Sequence, residues 1–193
     1  MKSFFTLFLI LFFSSSVVAD DISDFEIEGI SIGDSLLDYM SEDEIKKEIE
    51  ANKERYNNNI SFGEVFISKE LLTYKSLRAY VKPNDSKFII HSISGGNKYE
   101  TIDLCILEKN DILNEFSNLF SNAIKTNTNF NSKHDPTGKS KVYETQFRFK
   151  SGDQINIQCI DIEEQLSIKN NWWSNTLDIS IDRKEIINWF RDY

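Results

Sequence analysis

The stretch KVYETQFRFKSGDQINIQCIDI, Lys141–Ile162, decides the fold because apolar and polar side chains alternate along both of its halves. Alternation with a period of two is typical of a β-strand that buries one face. The segment KSGD, Lys150–Asp153, separates the halves and consists largely of turn-forming residues. The stretch therefore predicts an antiparallel hairpin of two strands, Lys141–Lys150 and Gln154–Ile162.

Similar alternation elsewhere predicts four more strands: Ile60–Ser68, Tyr74–Lys82, Lys87–Ser94 and Thr176–Ile181. The turn signal KPND, Lys82–Asp85, joins two of them as a second antiparallel hairpin. Short turns of this kind indicate that the sheet is largely antiparallel.

Two helix starts share one capping pattern. Ser41 precedes Glu44 by three residues, so that each side chain can bond to the backbone N–H of the other. This predicts a helix over Glu42–Glu54. Asp182 is the predicted cap of a C-terminal helix with an inward face of Ile186, Ile187 and Phe190.

A central helix is predicted over Ile102–Lys125, because apolar residues recur there near the helical period. Ile102, Leu104 and Ile106 also alternate, so a strand that leads into a shorter helix is the alternative.

The predicted order is helix, three strands, helix, three strands and helix. The fold class is therefore α+β, with an antiparallel sheet of about six strands in two three-strand meanders, each preceded by a helix, and a C-terminal helix. An internal duplication of an αβββ unit fits this order, although no residue-level repeat supports it. No Pro- or Gly-rich linker divides residues 20–193, which predicts a single domain.

The first residues, MKSFFTLFLILFFSSSVVADD, have the layout of a secretory signal peptide, with an apolar run over Phe4–Phe13 and a small residue, Ala19, before the expected cut. The run is shorter than the roughly 20 apolar residues that span a bilayer, and a retained N-terminal anchor is the alternative. We expect removal of residues 1–19, a periplasmic or secreted mature chain and no integral membrane segment after cleavage. Acids crowd the new N-terminus as a flexible, solvated arm: Asp20, Asp21, Asp24, Glu26 and Glu28.

The chain has a formal net charge of −9 at pH 7 and no visible cluster of Lys or Arg. An acidic surface repels phosphate backbones, so we expect no nucleic-acid partner. The acidic N-terminal run lacks the spacing of a calcium loop, and the two cysteines lack the His pattern of a zinc site. We therefore expect no cofactor or metal.

Cys105 and Cys159 are the only two cysteines. In an oxidising compartment each is the only possible partner of the other, so we predict a disulfide between them. Two separately buried thiols are the alternative.

Four features together carry a resemblance: GISIGDSLLDYMSEDEI (Gly29–Ile45), the Cys105 and Cys159 pair, DPTGKSK (Asp135–Lys141) and LDISI (Leu177–Ile181) before the last helix. The chain resembles a group of uncharacterised exported proteins of Pelagibacter-type marine alphaproteobacteria. This resemblance implies export but no activity. The segment GISIGDS is also similar to the first turn of small outer-membrane assembly lipoproteins of the β-lactamase-inhibitor-like class, without their lipidation cysteine.

The segment DPTGKSK contains the Gly-Lys-Ser triplet of a phosphate-binding loop. Lys133 occupies the place of the first Gly of that motif, and a predicted strand rather than a helix follows Ser140. The sequence therefore indicates a structural turn in which Gly138 takes a positive φ.

His91 and His134 are the only histidines, and neither has an evident nucleophile partner. His91 shares a strand side with Ile89 and Ile93, which predicts a buried structural histidine. An exported hydrolase with a site near His134, Asp135 and Lys139 is an alternative function.

Aromatic and basic residues mark the candidate binding surface. Tyr74, Arg78 and Tyr80 share one side of a predicted strand, and Tyr with Arg is a composition typical of binding sites. Trp172 and Trp173 lie in a predicted loop, where one can pack on the core and the other can contact a partner. We therefore predict a non-catalytic binding module for a protein, glycan or small ligand; an ordinary polar outer face is the alternative.

Overall fold

The computed structural model of the chain describes Ile22, residues 25–56 and residues 61–191. The predicted signal peptide, the acids Asp20, Asp21 and Asp24, and the predicted strand start at Ile60 lie outside the described residues. Within them, a short hairpin of β1 (Glu26–Ile27) and β2 (Ile30–Ser31) comes first. Glu26 and Glu28, which the sequence places in an acidic arm, belong to this hairpin.

The main sheet contains seven strands: β3 (Gly63–Phe66), β4 (Ser76–Val81), β5 (Ile90–Lys98), β6 (Ile124–Asn131), β7 (Lys141–Arg148), β8 (Gln154–Asp161) and β9 (Asn175–Asp182). Their order across the sheet is β3-β4-β5-β9-β8-β7-β6, and every neighbouring pair is antiparallel. The α+β class and the hairpin across Lys150–Asp153 are confirmed.

Four α-helices occur in the described residues: α1 (Glu42–Asn52), α2 (Ile102–Leu119), α3 (Glu164–Asn170) and α4 (Lys184–Arg191). Helix α1 begins with the predicted capping box, in which Ser41 and Glu44 bond to each other's backbone N–H. A short 3-10 helix, Lys53–Tyr56, follows α1 directly.

The two meanders differ in length. The first contains β3, β4 and β5, and the second contains four strands, β6 to β9. The extra strand is β6, where the sequence analysis extends the central helix to Lys125. Helix α2 instead ends at Leu119, and all eight residues of β6 are exposed, so no alternation of burial marks the strand. The alternative of a strand before a shorter helix is wrong, because α2 begins at Ile102.

One face of the sheet is apolar and packs against α2 at β8 and β9 and against α1 at β3. A single row of aligned side chains crosses this face from β3 to β7: Val65, Ala79, Ile93, Ile181, Ile155 and Phe147. The predicted disulfide between Cys105 on α2 and Cys159 on β8 is present, and both cysteines are fully buried. The disulfide ties the helix to the centre of the sheet.

Helix α4 follows β9 directly and packs on one end of the opposite face. Ile186, Ile187 and Trp189 are buried, and Trp189 joins an aromatic cluster with Phe62 and Tyr80. Asp182, the predicted cap, turns its carboxylate to the sheet instead. The N–H of Lys184 donates to Asp153 of the KSGD turn at 2.7 Å, so that turn satisfies the start of the helix.

Candidate functional site on the polar sheet face

The face opposite α2 is polar along most of its width. We define the polar face by the side chains that project from it between β3 and β7: Glu64, Arg78, Tyr80, Ser92, Ser94, Asp178, Ser180, Asp182, Gln154, Asn156, Gln158 and Glu144. These residues alternate with those of the apolar row, because successive side chains of a strand point to opposite faces. The alternation that builds the core therefore also builds this surface.

Arg78 connects its own strand, β4, to three other strands of the polar face. Its guanidinium donates to Ser94 Oγ at 3.1 Å, to Glu64 Oε1 at 3.3 Å and to Asp178 Oδ2 at 3.2 Å. It also lies over the ring of Tyr80, 5.8 Å from the centroid. The side chains of Arg78 and Asp178 keep 30% and 23% of their surface exposed, so a ligand can reach this part of the network.

Glu64 is the buried anchor of the network. Its carboxylate is 1% exposed and accepts from Arg55 at 3.1 Å, as well as from Arg78. The hydroxyl of Tyr80 donates to Glu64 at 3.0 Å and lies 2.6 Å from the hydroxyl of Tyr56. Burial raises the pKa of Tyr56 to about 12, so this hydroxyl stays protonated at neutral pH. At the end of the face beside α4, a protonated Tyr56 hydroxyl therefore belongs to a network with Tyr80 and the Glu64 carboxylate.

Asp182 is the second buried acid of the face. Ser92 Oγ donates to its carboxylate at 2.6 Å, and Ser180 Oγ donates at 2.7 Å. Burial nevertheless raises the pKa of Asp182, because these bonds offset only part of the lost hydration. Burial also raises the pKa of Asp178, against the effect of Arg78.

Glu144 forms the corresponding group near the far edge of the sheet. Gln158 Nε2 donates to its carboxylate at 2.6 Å, and Thr128 Oγ1 donates at 2.9 Å. Both donors come from neighbouring strands, so Glu144 joins β6, β7 and β8 on the polar face.

Two amide oxygens between these groups lack a donor. Gln154 Oε1 and Asn156 Oδ1 are buried and have no hydrogen-bond partner in the part of the chain that the structure describes, and Gln154 as a whole is only 6% exposed. A buried acceptor without a donor typically costs about 1–3 kcal/mol. The two unpaired atoms are therefore both hydrogen-bond acceptors. The face has four acidic side chains, Glu64, Asp178, Asp182 and Glu144, and two guanidinium groups, Arg78 and, at the margin, Arg55.

The structure brings three of the five predicted binding residues together. Arg78 and Tyr80 belong to the polar face, and Trp173 borders it, with Cζ3 lying 3.9 Å from the position that a Cβ at Gly96 would occupy. Gly96 pairs with Asp178 and Ser76 in the sheet, so the Trp173 ring lies beside the accessible end of the Arg78 network.

Tyr74 does not share this face, contrary to the alternation argument. Strand β4 begins only at Ser76, so strict alternation does not extend back to Tyr74. Its ring packs on the apolar side of Gly95, where an added Cβ would lie 2.6 Å from the ring. Burial raises the pKa of Tyr74 to about 12, and the residue belongs to the core.

Trp172 is 44% exposed, whereas Trp173 is half-buried. Both follow α3, a helix in a segment that the sequence analysis treats as a loop. Ser167 Oγ donates to the carbonyl of Trp172 at 2.8 Å, so α3 fixes the start of the tryptophan segment.

The segment around Gly138 is a structural turn. Asp135 is 4% exposed and accepts from Thr137 and Ser140, including the Ser140 N–H at 2.7 Å. Hydrogen bonds from Thr137 hold the pKa of Asp135 far below its usual range. Gly138 has the predicted positive φ of 71°, and β7 follows directly.

The residues of the alternative hydrolase site do not converge. The Asp135 carboxylate points into its own turn, whereas His134 is exposed. Lys139 Nζ approaches Glu163 at 3.9 Å with 69% of its side chain exposed. This arrangement gives no shared position for a reacting group.

His91 is buried, as predicted, but on the other side of its strand. A register shift beside Tyr80 and Val81 turns its ring onto Phe62, with a centroid distance of 5.3 Å. His91 Nδ1 pairs with Glu185 of α4. Burial lowers the pKa of His91, against the effect of Glu185.

Local sequence patterns do not single out the acceptors on β8 and β9 as members of this candidate site. Asp178 lies within reach of Arg78, and Gln154 and Asn156 pair with Asp182 and Ser180, because β9 lies between β5 and β8, a strand order that alternation does not encode. Among the described residues, no group of three or more His, Cys, Asp or Glu side chains is placed to hold a metal ion.

No helix in the described ranges is both long and apolar enough to cross a membrane. The chain matches no family model, no curated protein and no solved structure.

Proposed function

We propose that this chain is a non-catalytic binding module that acts in the periplasm or outside the cell and holds its ligand on the polar face. The observation that carries the proposal is the pair of buried acceptors, Gln154 Oε1 and Asn156 Oδ1, on a face that is otherwise hydrogen-bonded. Native proteins satisfy nearly all buried polar atoms, so such atoms call for a donor from outside the chain.

The chemistry of the face favours a ligand that donates hydrogen bonds and carries positive charge. Asp178 supplies an accessible carboxylate, and the two amide oxygens add neutral acceptors. The buried acids Glu64, Asp182 and Glu144 belong to the same face and hold its hydrogen-bond network. Trp173 at the margin offers a ring face for a cation. A flexible organic polyamine fits the acidic groups, the amide oxygens and the tryptophan ring, because it has several ammonium groups that donate hydrogen bonds and no acceptors.

Export is supported by the disulfide between Cys105 and Cys159, since such bonds persist in oxidising compartments. The signal-peptide layout of residues 1–19 gives the same compartment from the sequence. No contact described around His134 favours the alternative function of a hydrolase.

Isothermal titration calorimetry with spermidine as the probe tests the proposal. We expect saturable binding to the wild type at physiological salt and at least about tenfold weaker binding to Asp178→Asn, because the variant loses an accessible carboxylate. Asp103→Asn removes the same charge from an exposed position of α2 and serves as the matched control. Equal weakening by both variants, or no saturable heat with the wild type, contradicts the proposal.

A further inference from the structure

Strand β6 is an open edge of the main sheet. Among the described residues it pairs with β7 alone and is the last strand in the sheet order, so no described strand pairs with the backbone donors and acceptors of its other side. All eight residues, Ile124–Asn131, are exposed, and their pairing with β7 runs without a register shift. Natural edges are commonly protected by a bulge, a proline or an outward charge, and β6 has neither of the first two.

The single charge of β6 does not protect the edge. Lys125 Nζ donates to Ser117 Oγ at 2.9 Å and lies over the ring of Phe147, so the side chain folds back onto its own subunit. Asn127 and Thr128 likewise bond to Thr145 and Glu144 of the neighbouring strand β7. These contacts hold the strand straight and leave its outer backbone edge open.

Charge around this edge differs from that of the rest of the chain. No acidic residue occurs between Glu115 and Asp135, a segment that carries Lys125 and Lys133, although the whole chain has 31 acids and a net charge of −9. Two copies of so acidic a protein repel each other over most of their surface. At β6 they can approach without opposing carboxylates.

The sequence of β6 is complementary to itself. A twofold axis perpendicular to the sheet keeps each side chain on its own face, so residues opposite each other must be both odd or both even in number. Centring the axis on Asn127 places Ile124 opposite Phe130 of the second copy, Lys125 opposite Asn129 and Thr126 opposite Thr128. Ile124 and Phe130 are 71% and 41% exposed. In this register each of them faces the other residue type in the second copy, so the Ile124–Phe130 contact occurs twice, once on each side of the axis.

We propose that a second copy of this chain docks on β6, antiparallel and centred on Asn127, to join two seven-stranded sheets into one. The polar faces of both subunits then lie on the same side of the joined sheet. This dimer does not depend on the proposed ligand, because its contacts are confined to β6.

Analytical ultracentrifugation over low to high micromolar concentration tests the dimer with the intact chain. We expect a monomer–dimer equilibrium in the wild type. Ile124→Glu and Phe130→Lys should each weaken association at least about tenfold, and the double variant should recover it through the facing Glu and Lys. Ile168→Glu, at an exposed position of α3, is the control that should leave association unchanged. A wild type that stays monomeric throughout, or a double variant no better than the singles, overturns the proposal.

Cysteine cross-linking tests the register independently. Directly opposite residues of an antiparallel pair have Cα atoms about 4.5–5.5 Å apart, within disulfide range. Asn127→Cys should therefore cross-link to itself in the dimer under mild oxidation, since both native cysteines are already bonded. Asn129→Cys should cross-link far more slowly, because the two copies of residue 129 lie about 13 Å apart along the strands. Equal cross-linking at both positions contradicts the register.

Discussion

The two faces of the sheet are built from adjacent residues of the same strands and have opposite physical roles. The apolar row is covered by α1 and α2, and its burial stabilises the fold. One residue further along each strand, a second row crosses the same sheet on the polar face: Phe66, Arg78, Ser94, Ser180, Asn156 and Gln146. Five of its six residues are polar, and two of them, Ser94 and Ser180, are buried, where packing alone would favour apolar side chains. The same strands therefore build one face that stabilises the fold by burial and one face that stays polar.

The largest contrast is expected between neighbours on β8. Ile155 is 1% exposed on the apolar face, so Ile155→Ala should lower the free energy of unfolding by about 2–5 kcal/mol through lost burial and a cavity. Asn156→Ala removes a buried acceptor without a donor, so it should leave the free energy of unfolding unchanged or raise it by up to about 1–3 kcal/mol. Urea unfolding of both variants measures the contrast. A cost of several kcal/mol for Asn156→Ala would mean that this amide stabilises the fold.

Removal of the disulfide should weaken the apolar side next. The bond between Cys105 and Cys159 closes a loop with a sequence separation of 54. A double Ser variant should lose about 2–4 kcal/mol, chiefly because its unfolded chain gains conformational freedom. Urea unfolding of oxidised wild type and variant tests this effect, and reduced wild type is the control for the introduced hydroxyls. An unchanged midpoint would contradict it.

The dependence of the free energy of unfolding on pH should reveal the cost of burying the Asp182 carboxylate on the polar face. Burial raises its pKa in the folded state, so the folded state holds this proton more tightly than the unfolded state. By linkage, the contribution of Asp182 to stability is present below its ordinary pKa and is lost as pH rises through the raised value. The stability of Asp182→Asn relative to the wild type should therefore rise between pH 3.5 and pH 7. The first value is near the pKa of a free Asp, about 3.9, and the second is well above it. Denaturant unfolding across that range measures it, and a relative stability that stays constant or falls would contradict the account.

The smallest effects are expected at the turn after β6, outside both faces. Gly138→Ala should cost about 1 kcal/mol, because a φ of 71° is unfavourable for any residue with a Cβ. Lys139→Ala should stay within about 0.5 kcal/mol, as expected of an exposed side chain. Thermal unfolding compares the two. A rise in Tm with ATP and Mg²⁺ that disappears in Lys139→Ala would instead indicate a nucleotide site.

Sequence patterns predict most of the fold where burial alternates or caps are explicit. Strands β7 and β8 and the capping box at Ser41 follow directly from such local signals. Strand β6 escapes prediction because every side chain in it is exposed, and α3 escapes because it is short and lies in a polar segment.

The site was only partly predictable for a related reason. Alternation places Arg78 and Tyr80 on one face, but it fails at Tyr74, which precedes the start of β4. Asp178 of β9 reaches Arg78 only because of the strand order, and local patterns do not specify which strands become neighbours.

Chemical-shift mapping by ¹H–¹⁵N NMR with spermidine tests the central claim most directly, because it reports the face that the ligand contacts. The account predicts that the side-chain amides of Gln154 and Asn156 and the indole N–H of Trp173 shift together and saturate at one ligand concentration. Amides of α2, behind the apolar face, should remain unchanged. Shifts that scatter over exposed acids on both sides of the sheet, with no saturation at Gln154 and Asn156, would contradict a binding site on the polar face.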